Sequence, residues 1–463
     1  MTNTIAAIST AFGRGGIAVI RISGDKAIDV AEAVFRPSSG KKLSDTASNY
    51  CVYGNILKGG QKIDDGMCTV FRAPHSYTGE DTAEICCHGG IILTEKVLEA
   101  AFEAGARQAD AGEFTKRAFI NGKLTLSQAE AVGMLIDAEN EEQLSLASSH
   151  QNGVLKKKSD ELYEKLKMVV TGVYANVDFP DEDLSELSEK QVLDELNIIS
   201  RDLSALKDSY RVGRAVCEGI KTVLVGRPNT GKSSLLNRLV GRERAIVTDV
   251  AGTTRDTIEE TVQCGRIILR LCDTAGIRET DDVVERIGVE RSLNALDEAE
   301  LVLAVFDLSS ELDGEDRELI EKLKTVKATK IAVFNKSDLS KKLDTETVKE
   351  SGLFTRFVTV NASFSDNKQN GVDELRDFIC SLYIEGAVDY STTAVITNAR
   401  QNSAVTRALQ YVDNAREALR LGMTSDTAGF DLEAALTELS ELDGRRVTEE
   451  IVDSIFHRFC IGK

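Results

Sequence analysis

No stretch of this chain approaches the roughly 18 consecutive apolar residues that a membrane helix needs, so no membrane span is expected. The start, Met1-Thr-Asn-Thr4, lacks a basic region followed by an apolar run, so no secretory signal is expected. The nine cysteines are odd in number and never fall in Cys-x-x-Cys spacing. That argues against a disulfide framework or a zinc site and for a reducing, cytoplasmic setting. The four histidines, His75, His88, His150 and His457, form no metal-ligand pattern. Positive charge is in deficit: Lys plus Arg is 56 and Asp plus Glu is 75, so the formal charge is 56 − 75 = −19. Broad non-specific binding to nucleic acid is therefore not expected, although a local basic patch is compatible with the total. Solenoid repeats and low-complexity tracts are also missing.

What is present is ordinary globular material. The chain has 463 residues, 42% of them apolar and 28% charged. At roughly 100–200 residues per domain this length suits two to four domains. Residues 1 to about 120 are Gly-rich, with strand-like runs at Ile17–Ile22 and Met67–Phe71 and a helical stretch near Leu93–Ala104. From about 123 to 210 the period is helical. Leu162, Leu166, Val169 and Val173 share one face, as do Leu193, Leu196, Ile199, Leu203 and Leu206. The acidic run between them, residues 178–183, reads as a solvated linker or helix start. From about 217 to 380, strand-like runs at Thr222–Val225, Ile267–Leu271, Leu301–Phe306 and Lys330–Phe334 alternate with helical stretches, the βαβ pattern of a mostly parallel sheet. Helix returns from about 395. The economical topology is an α/β domain inserted into a helical one.

The inserted segment carries the chemistry. Gly226-Arg-Pro-Asn229-Thr230-Gly231-Lys232-Ser233 matches G-x-x-x-x-G-K-[ST], directly after a strand and before the helical stretch that opens at Ser234. Its backbone N–H groups and the helix N-terminus suit phosphates. Lys232 is expected at the β- and γ-phosphates and Ser233 on Mg²⁺. Asp273-Thr274-Ala275-Gly276 follows a strand, with Asp273 suited to the Mg²⁺ surroundings and the Gly276 amide to the γ-phosphate. Between them, Gly252-Thr253-Thr254-Arg-Asp256 offers Thr254 as the hydroxyl that completes the Mg²⁺ shell when the γ-phosphate is present. Asn335-Lys336-Ser-Asp338 follows another strand. The Asp338 carboxylate can accept from guanine N1 and N2, which selects GTP over ATP. Four motifs in order point to a GTPase. The residue after Gly276 is Ile277, where a Gln would orient the attacking water, so water must be oriented from elsewhere; Glu285 is one candidate, against the plainer reading of a solvated acid at a helix start.

The order helical, G domain, helical, with Gly13–Gly24, Ser76–Asp81, Gly112–Phe119, Asp178-Phe-Pro180, Gly252–Asp256, Asn398–Arg400 and the ending Cys460-Ile-Gly-Lys463, closely resembles the MnmE (TrmE) family of tRNA-modification GTPases over essentially the whole chain. The resemblance implies a multidomain α+β architecture. It comprises an N-terminal α/β tetrahydrofolate-binding and dimerisation domain (1–120), a helical domain (121–216 and 381–463), and a Ras-like P-loop G domain inserted at 217–380. It implies a homodimer that works with the FAD-dependent protein MnmG (GidA), in a heterotetramer or larger complex, on carbon 5 of the wobble uridine of certain tRNAs. A tetrahydrofolate, the 5,10-methylene or 5-formyl form, supplies the one-carbon unit. K⁺ takes the place of an arginine finger, with Asn229, Thr248, Val250 and Thr253 as ligands in a loop that also includes Asp249, Ala251 and Gly252. Glu285 orients water through a bridging water. Arg21, Glu84, Lys123 and Lys463 match folate contacts, and Cys460 stands nearby as a nucleophile or acid.

Two departures accompany the resemblance: Asn361-Ala362 replaces the usual Ser-Ala at the guanine loop, and Ala111 replaces the usual Pro before Gly112. Two other readings stay open from sequence: a ribosome-assembly type GTPase, disfavoured because no basic module or Gly-x-x-Gly clamp follows the G domain, and a slow nucleotide switch that scaffolds partners.

Overall fold

The computed structural model describes residues 4–178, 189–240, 260–271, 296–363, 370–384, 386, 388–423, 425–457 and 459–463. These fall into two compact units, one of Met1–Gly133, His150–Ser200 and Arg407–Lys463, the other of Met134–Ser149 and Arg201–Thr406. The acidic run expected as a linker lies, from residue 179 on, outside the described residues.

The first unit opens with β1 (Ile5–Ile8), β2 (Ile17–Ser23), α1 (Ala27–Val34), β3 (Phe35–Pro37), β4 (Tyr50–Lys58), β5 (Gln61–Phe71), β6 (Thr82–His88), α2 (Ile91–Glu103), β7 (Arg107–Gln108) and α3 (Glu113–Ile120). The strands form one sheet in the order β3-β4-β5-β6-β2-β1-β7, antiparallel at every pair except β1 with β7. Alternation along the strands divides its two faces. Ala18, Ile20, Ile22, Cys68, Val70, Ala83, Ile85 and Cys87 pack with Ile28, Ala31, Val97 and Ala101 of α1 and α2 in one core. The opposite face carries Arg21 across from Glu84, and the cross-strand row Tyr53–Met67–Cys86–Val19. Tyr53 is 54% exposed and Ile17, on the same face, 68%.

Next come α4 (Leu126–Asp137), α5 (Glu141–Gln151), α6 (Val154–Asp178) and α7 (Glu189–Cys217). The expected stripes are real: Leu162, Leu166, Val169 and Val173 of α6 are buried, and so are Leu196, Ile199, Leu203 and Leu206 of α7, with Val192 rather than Leu193 starting the second stripe.

The second unit holds a six-stranded sheet. Its elements are β8 (Ile220–Val225), α8 (Lys232–Val240), β9 (Glu260–Cys264), β10 (Ile267–Leu271), β11 (Leu301–Asp307), α9 (Gly314–Leu323), β12 (Thr329–Asn335), α10 (Thr345–Glu350), β13 (Arg356–Thr359) and α11 (Val372–Tyr383). The strand order is β13-β12-β11-β8-β10-β9, parallel throughout except for the β9–β10 hairpin. All seven residues of β11 are buried, as expected of a central parallel strand covered on both faces. Parallel strands end their carboxyl edges side by side, which brings Gly226, Asp307 and Lys336 to one rim.

The chain closes with α12 (Ala399–Arg420), α13 (Ser425–Asp443) and α14 (Glu449–Phe456). Helix α13 packs on α6, and a Cβ added at Gly429 would stand 3.2 Å from the Tyr174 ring, so that helix pair runs close at this point. After α14 the chain returns to the first sheet. Ala111 bridges Ile461, the Gly112 N–H donates to the Cys460 carbonyl at 3.4 Å, and the Phe114 N–H donates to the Lys463 carbonyl at 3.1 Å. Ser9 Oγ donates to the Gly462 carbonyl at 3.0 Å. Gly462 has φ +100° and leaves no room for a side chain, since a Cβ there would lie 2.1 Å from the Ile8 carbonyl oxygen.

One acid in this unit is held at a cost. Asp443, at the end of α13, is 4% exposed. Burial raises its carboxyl and neighbouring Asp160 adds to the rise, while Arg445 at 3.7 Å opposes it; the result is about 6, against an ordinary 3.8. The folded chain therefore holds a proton there more tightly than the unfolded chain does. Stability from this group is complete below about pH 4 and is lost as pH rises through 6, a difference of about 3 kcal/mol by pH 7. Asp443→Asn should raise the melting temperature at pH 7 and flatten its dependence between pH 4 and 6, as followed by circular dichroism.

Candidate nucleotide site and a charged cleft on the N-terminal sheet

The loop from Gly226 to Gly231 joins β8 to α8 and is shaped by close approaches. Gly226 has φ +155°, and a Cβ there would meet the Val305 carbonyl oxygen at 2.4 Å; Gly231 has φ +91°, and a Cβ there would meet Asn335 Nδ2 at 2.2 Å. Asn229 sits at φ +62°, a left-handed conformation that Asn tolerates better than most residues. Lys232 Nζ donates to the Gly226 and Arg227 carbonyls, each at 2.8 Å, so its ammonium lies inside the loop it belongs to. Thr230, fully buried, donates to the Arg227 carbonyl at 3.0 Å. Ser233 and Ser234 follow Lys232 in the first turn of α8.

The guanine motif adjoins it. Asn335 Nδ2 donates to the Thr230 carbonyl at 2.9 Å, and Asn335 Oδ1 accepts from the Ala362 N–H at 3.1 Å. One side chain, 2% exposed, thus ties the phosphate loop to the Asn361-Ala362 loop. The replacement at Asn361 is accommodated by its own turn, in which the Asn361 side chain accepts from the Ser363 N–H and hydroxyl at 3.1 and 2.7 Å. Lys336, at φ +62°, donates to Asp307 Oδ2 at 2.6 Å. Burial pushes the Asp307 carboxyl up, but Lys336 and Ser309 more than offset this and hold it below its ordinary range. Asp338 presents its carboxylate exposed at the same rim. Thr248, Asp249, Val250, Ala251, Gly252, Thr253, Thr254, Asp273, Thr274, Ala275, Gly276 and Glu285 lie outside the described residues.

The four expected folate residues fall on one side of the first sheet. Arg21 and Glu84 are cross-strand neighbours, with Nε to Oε1 at 2.8 Å, both partly shielded. Two rings flank the guanidinium, Tyr77 at 5.3 Å and Phe114 at 5.6 Å, a cation–π arrangement that fixes its plane. Phe114 is also the residue whose N–H holds the Lys463 carbonyl, so the C-terminal tail reaches the Arg21 cleft through it. Lys123 Nζ donates to the Pro74 carbonyl at 3.0 Å. It thereby holds the loop that carries Tyr77, whose hydroxyl meets Thr115 Oγ1 at 3.0 Å. Behind the cleft, Arg117 pairs with Glu80 at 2.8 Å and Glu113 at 2.9 Å, and Arg107 pairs with Glu113 at 2.5 Å. That ionic network fixes the start of α3, and with it the two N–H groups that grip the tail. Cys460 is a free, exposed thiol.

Sequence reasoning did not find Tyr77, Phe114, Arg227 or Asp307. Tyr77 and Phe114 lie inside the quoted motifs Ser76–Asp81 and Gly112–Phe119. Their contact with Arg21, however, spans dozens of residues and leaves no trace in local spacing. Asp307 had one legible signal, an acid ending an all-apolar strand.

A family model described as "MnmE helical domain" matches residues 126–460. One described as "GTP-binding protein TrmE N-terminus" matches residues 4–123. The tRNA modification GTPase MnmE of Clostridioides difficile (strain 630) is 42% identical over 463 residues, covering 100% of this chain and 99% of the relative. Its namesake in Symbiobacterium thermophilum is 43% identical over 461 residues, covering 99% of each. The one in Bacillus velezensis is 41% identical over 464 residues, covering 100% of each.

Asn335→Ala removes both buried hydrogen bonds and leaves the Thr230 carbonyl and Ala362 N–H unpaired. At about 1–3 kcal/mol per buried group left unpaired, GDP affinity should fall about 10- to 100-fold, measured by titration with a fluorescent GDP.

Proposed function

The chain belongs to the MnmE family of tRNA-modification GTPases, and on that premise we propose how its residues divide the work. It is a GTPase that acts in tRNA modification. The finer reading is a K⁺-activated GTP hydrolase that, with the FAD-dependent partner MnmG and a tetrahydrofolate one-carbon unit, modifies carbon 5 of the wobble uridine. The observation that carries its GTPase part is the buried Asn335 tie, which sets a phosphate-binding loop and a guanine-reading loop in one fixed relation; the K⁺, folate and partner parts rest on the family likeness.

In this reading Lys232 and the amides of the loop bind the β- and γ-phosphates, and Asp338 reads guanine N1 and N2. Ser233 and Thr254 would hold Mg²⁺; Asn229, Thr248, Val250 and Thr253 would hold K⁺. The two cations would neutralise charge on the phosphates. The left-handed turn at Asn229 sets an exposed amide at the phosphate loop, which suits that ligand role. Glu285 orients the attacking water in place of the Gln that Ile277 displaces.

The nucleotide state has a route outward. The β9–β10 hairpin adjoins, in sequence, the segments that carry Thr254 and Asp273. At its turn Arg266 pairs with Glu142 of α5 and donates to the Gly386 carbonyl at 2.6 Å. Rearrangement of those segments would be felt at α5 through this pair.

On the N-terminal sheet, Glu84 would accept from the guanidine-like edge of a pterin, with Arg21, Lys123 and Lys463 on its polar atoms or glutamate tail. The partly shielded ion pair between two aromatic rings fits a flat, polar-edged ring system. Cys460 would serve as a nucleophile or acid beside it. The uncovered sheet face with Ile17, Tyr53 and Met67 suits burial in a homodimer. Domain limits of 1–120, 121–216, 217–380 and 381–463 complete the assignment.

GTP hydrolysis measured in KCl and in NaCl at equal ionic strength should be strongly faster in KCl. Asn229→Ala should abolish the difference, and Glu285→Ala should lower kcat in KCl by about 10²–10³, the scale for loss of one transition-state group. Equal slow rates in both salts would sink the ion-activated reading and favour a scaffold switch. Independently, calorimetry with 5-formyltetrahydrofolate should show binding weakened about tenfold or more in Glu84→Gln, the loss expected for one charge-assisted hydrogen bond. Unchanged affinity would remove Glu84 from the folate site.

A further inference from the structure

Arg227, the second residue of the phosphate-binding loop, has a side chain that turns away from the loop. Its Nη1 donates to Asp313 Oδ2 at 2.6 Å, its Nε lies 3.4 Å from Asp316 Oδ2, and its Nη2 reaches Ser310 Oγ. The two acids form the capping box at the start of α9: Asp313 Oδ1 accepts from the Asp316 N–H at 3.0 Å, and the Asp316 carboxylate accepts from the Asp313 N–H at 3.5 Å. Asp316 is 1% exposed. Burial raises its carboxyl and the Arg227 guanidinium opposes the rise.

The main chain of the same residue faces the other way. The Arg227 carbonyl accepts from Lys232 Nζ at 2.8 Å and from Thr230 Oγ1 at 3.0 Å. A continuous path therefore runs from the capping box of α9, through one guanidinium and one peptide, to the ammonium expected at the phosphates. The loop that supplies the anchor begins at Asp307, the acid that holds Lys336 of the guanine motif. Loop 307–313 thus fixes both halves of the nucleotide site.

We propose that Arg227 is a positioning residue for GTP binding and hydrolysis: its clamp on Asp313 and Asp316 sets where the loop carbonyl holds Lys232. The proposal rests on the reading of this loop as the phosphate site. A planar fork that bridges two carboxylates is something Lys cannot reproduce, so the guanidinium itself is required. Truncation would release the loop from α9 and also leave the buried Asp316 facing the partly exposed Asp313 with no cation between them. These consequences are separable, because neutralising Asp316 relieves the second without restoring the first.

The test uses the full chain and four variants: Arg227→Ala, Arg227→Lys, Arg227→Ala with Asp316→Asn, and Lys232→Ala. Fluorescent GDP titration, kcat and KM for GTP, and melting temperature are measured on each. Arg227→Ala should weaken GDP binding about tenfold and lower both kcat and melting temperature, with Arg227→Lys in between. The double variant should regain the melting temperature while GDP binding stays weak. The proposal is overturned if Arg227→Ala binds GDP within twofold of the parent, or if the double variant regains affinity along with stability, which would make Arg227 merely a counter-charge. Parent-like GDP binding by Lys232→Ala would overturn the phosphate-site reading itself, and this proposal with it.

Discussion

The side-chain amide of Asn335 uses its donor on the Thr230 carbonyl and its acceptor on the Ala362 N–H, and it does so in a place closed to water. A buried amide so placed has little freedom, because either group left unpaired would cost more than the bond is worth in water. The phosphate loop cannot shift without breaking the first contact, nor the guanine loop without breaking the second. Gly231 is part of the same constraint, since only a residue without Cβ can pass so close to Asn335 Nδ2. The parallel sheet supplies the frame by ending β8, β11 and β12 at one rim.

The N-terminal sheet uses a different device. An Arg–Glu pair on a partly shielded sheet face is of modest value in itself. Here two rings flank it, one of them on Phe114, whose N–H also holds the returning C-terminal tail, and the tail is held by backbone groups at the start of α3, where the Arg107–Glu113–Arg117–Glu80 network sits. The conformational demands meet at Gly112 and Gly462, both at positive φ and both pressed against backbone atoms of another segment. The tail is gripped through its own carbonyls, so its hold on the start of α3 does not depend on the side chains of Cys460 and Lys463.

The first construction answers to the GTPase that the family name describes; the second is a charged, ring-flanked cleft on the N-terminal sheet. The Arg266–Glu142 pair ties the β9–β10 hairpin to helix α5. The acidic total charge leaves recognition of the tRNA backbone to local surface or to a partner.

Much of this was written in local sequence. The strands Ile17–Ser23, Ile267–Leu271, Leu301–Asp307 and Thr329–Asn335 follow from apolar runs, and the buried stripes of α6 and α7 from a 3.6-residue period, because both patterns report which face meets a core. The phosphate and guanine motifs were legible because their chemistry needs particular residues at fixed short spacing. The Arg21–Glu84 pairing, the rings around it, the docking of Cys460–Lys463 and the clamp of Arg227 on Asp313 and Asp316 were not. Each joins residues distant in the chain, and the order in which strands pair, β6 beside β2 and β11 beside β8, is fixed by packing of the whole sheet rather than by any segment of it. The sequence alone named the residues expected at a nucleotide; only the tertiary structure decided which partners hold the described ones in place, because burial and hydrogen-bond geometry exist only once distant segments meet.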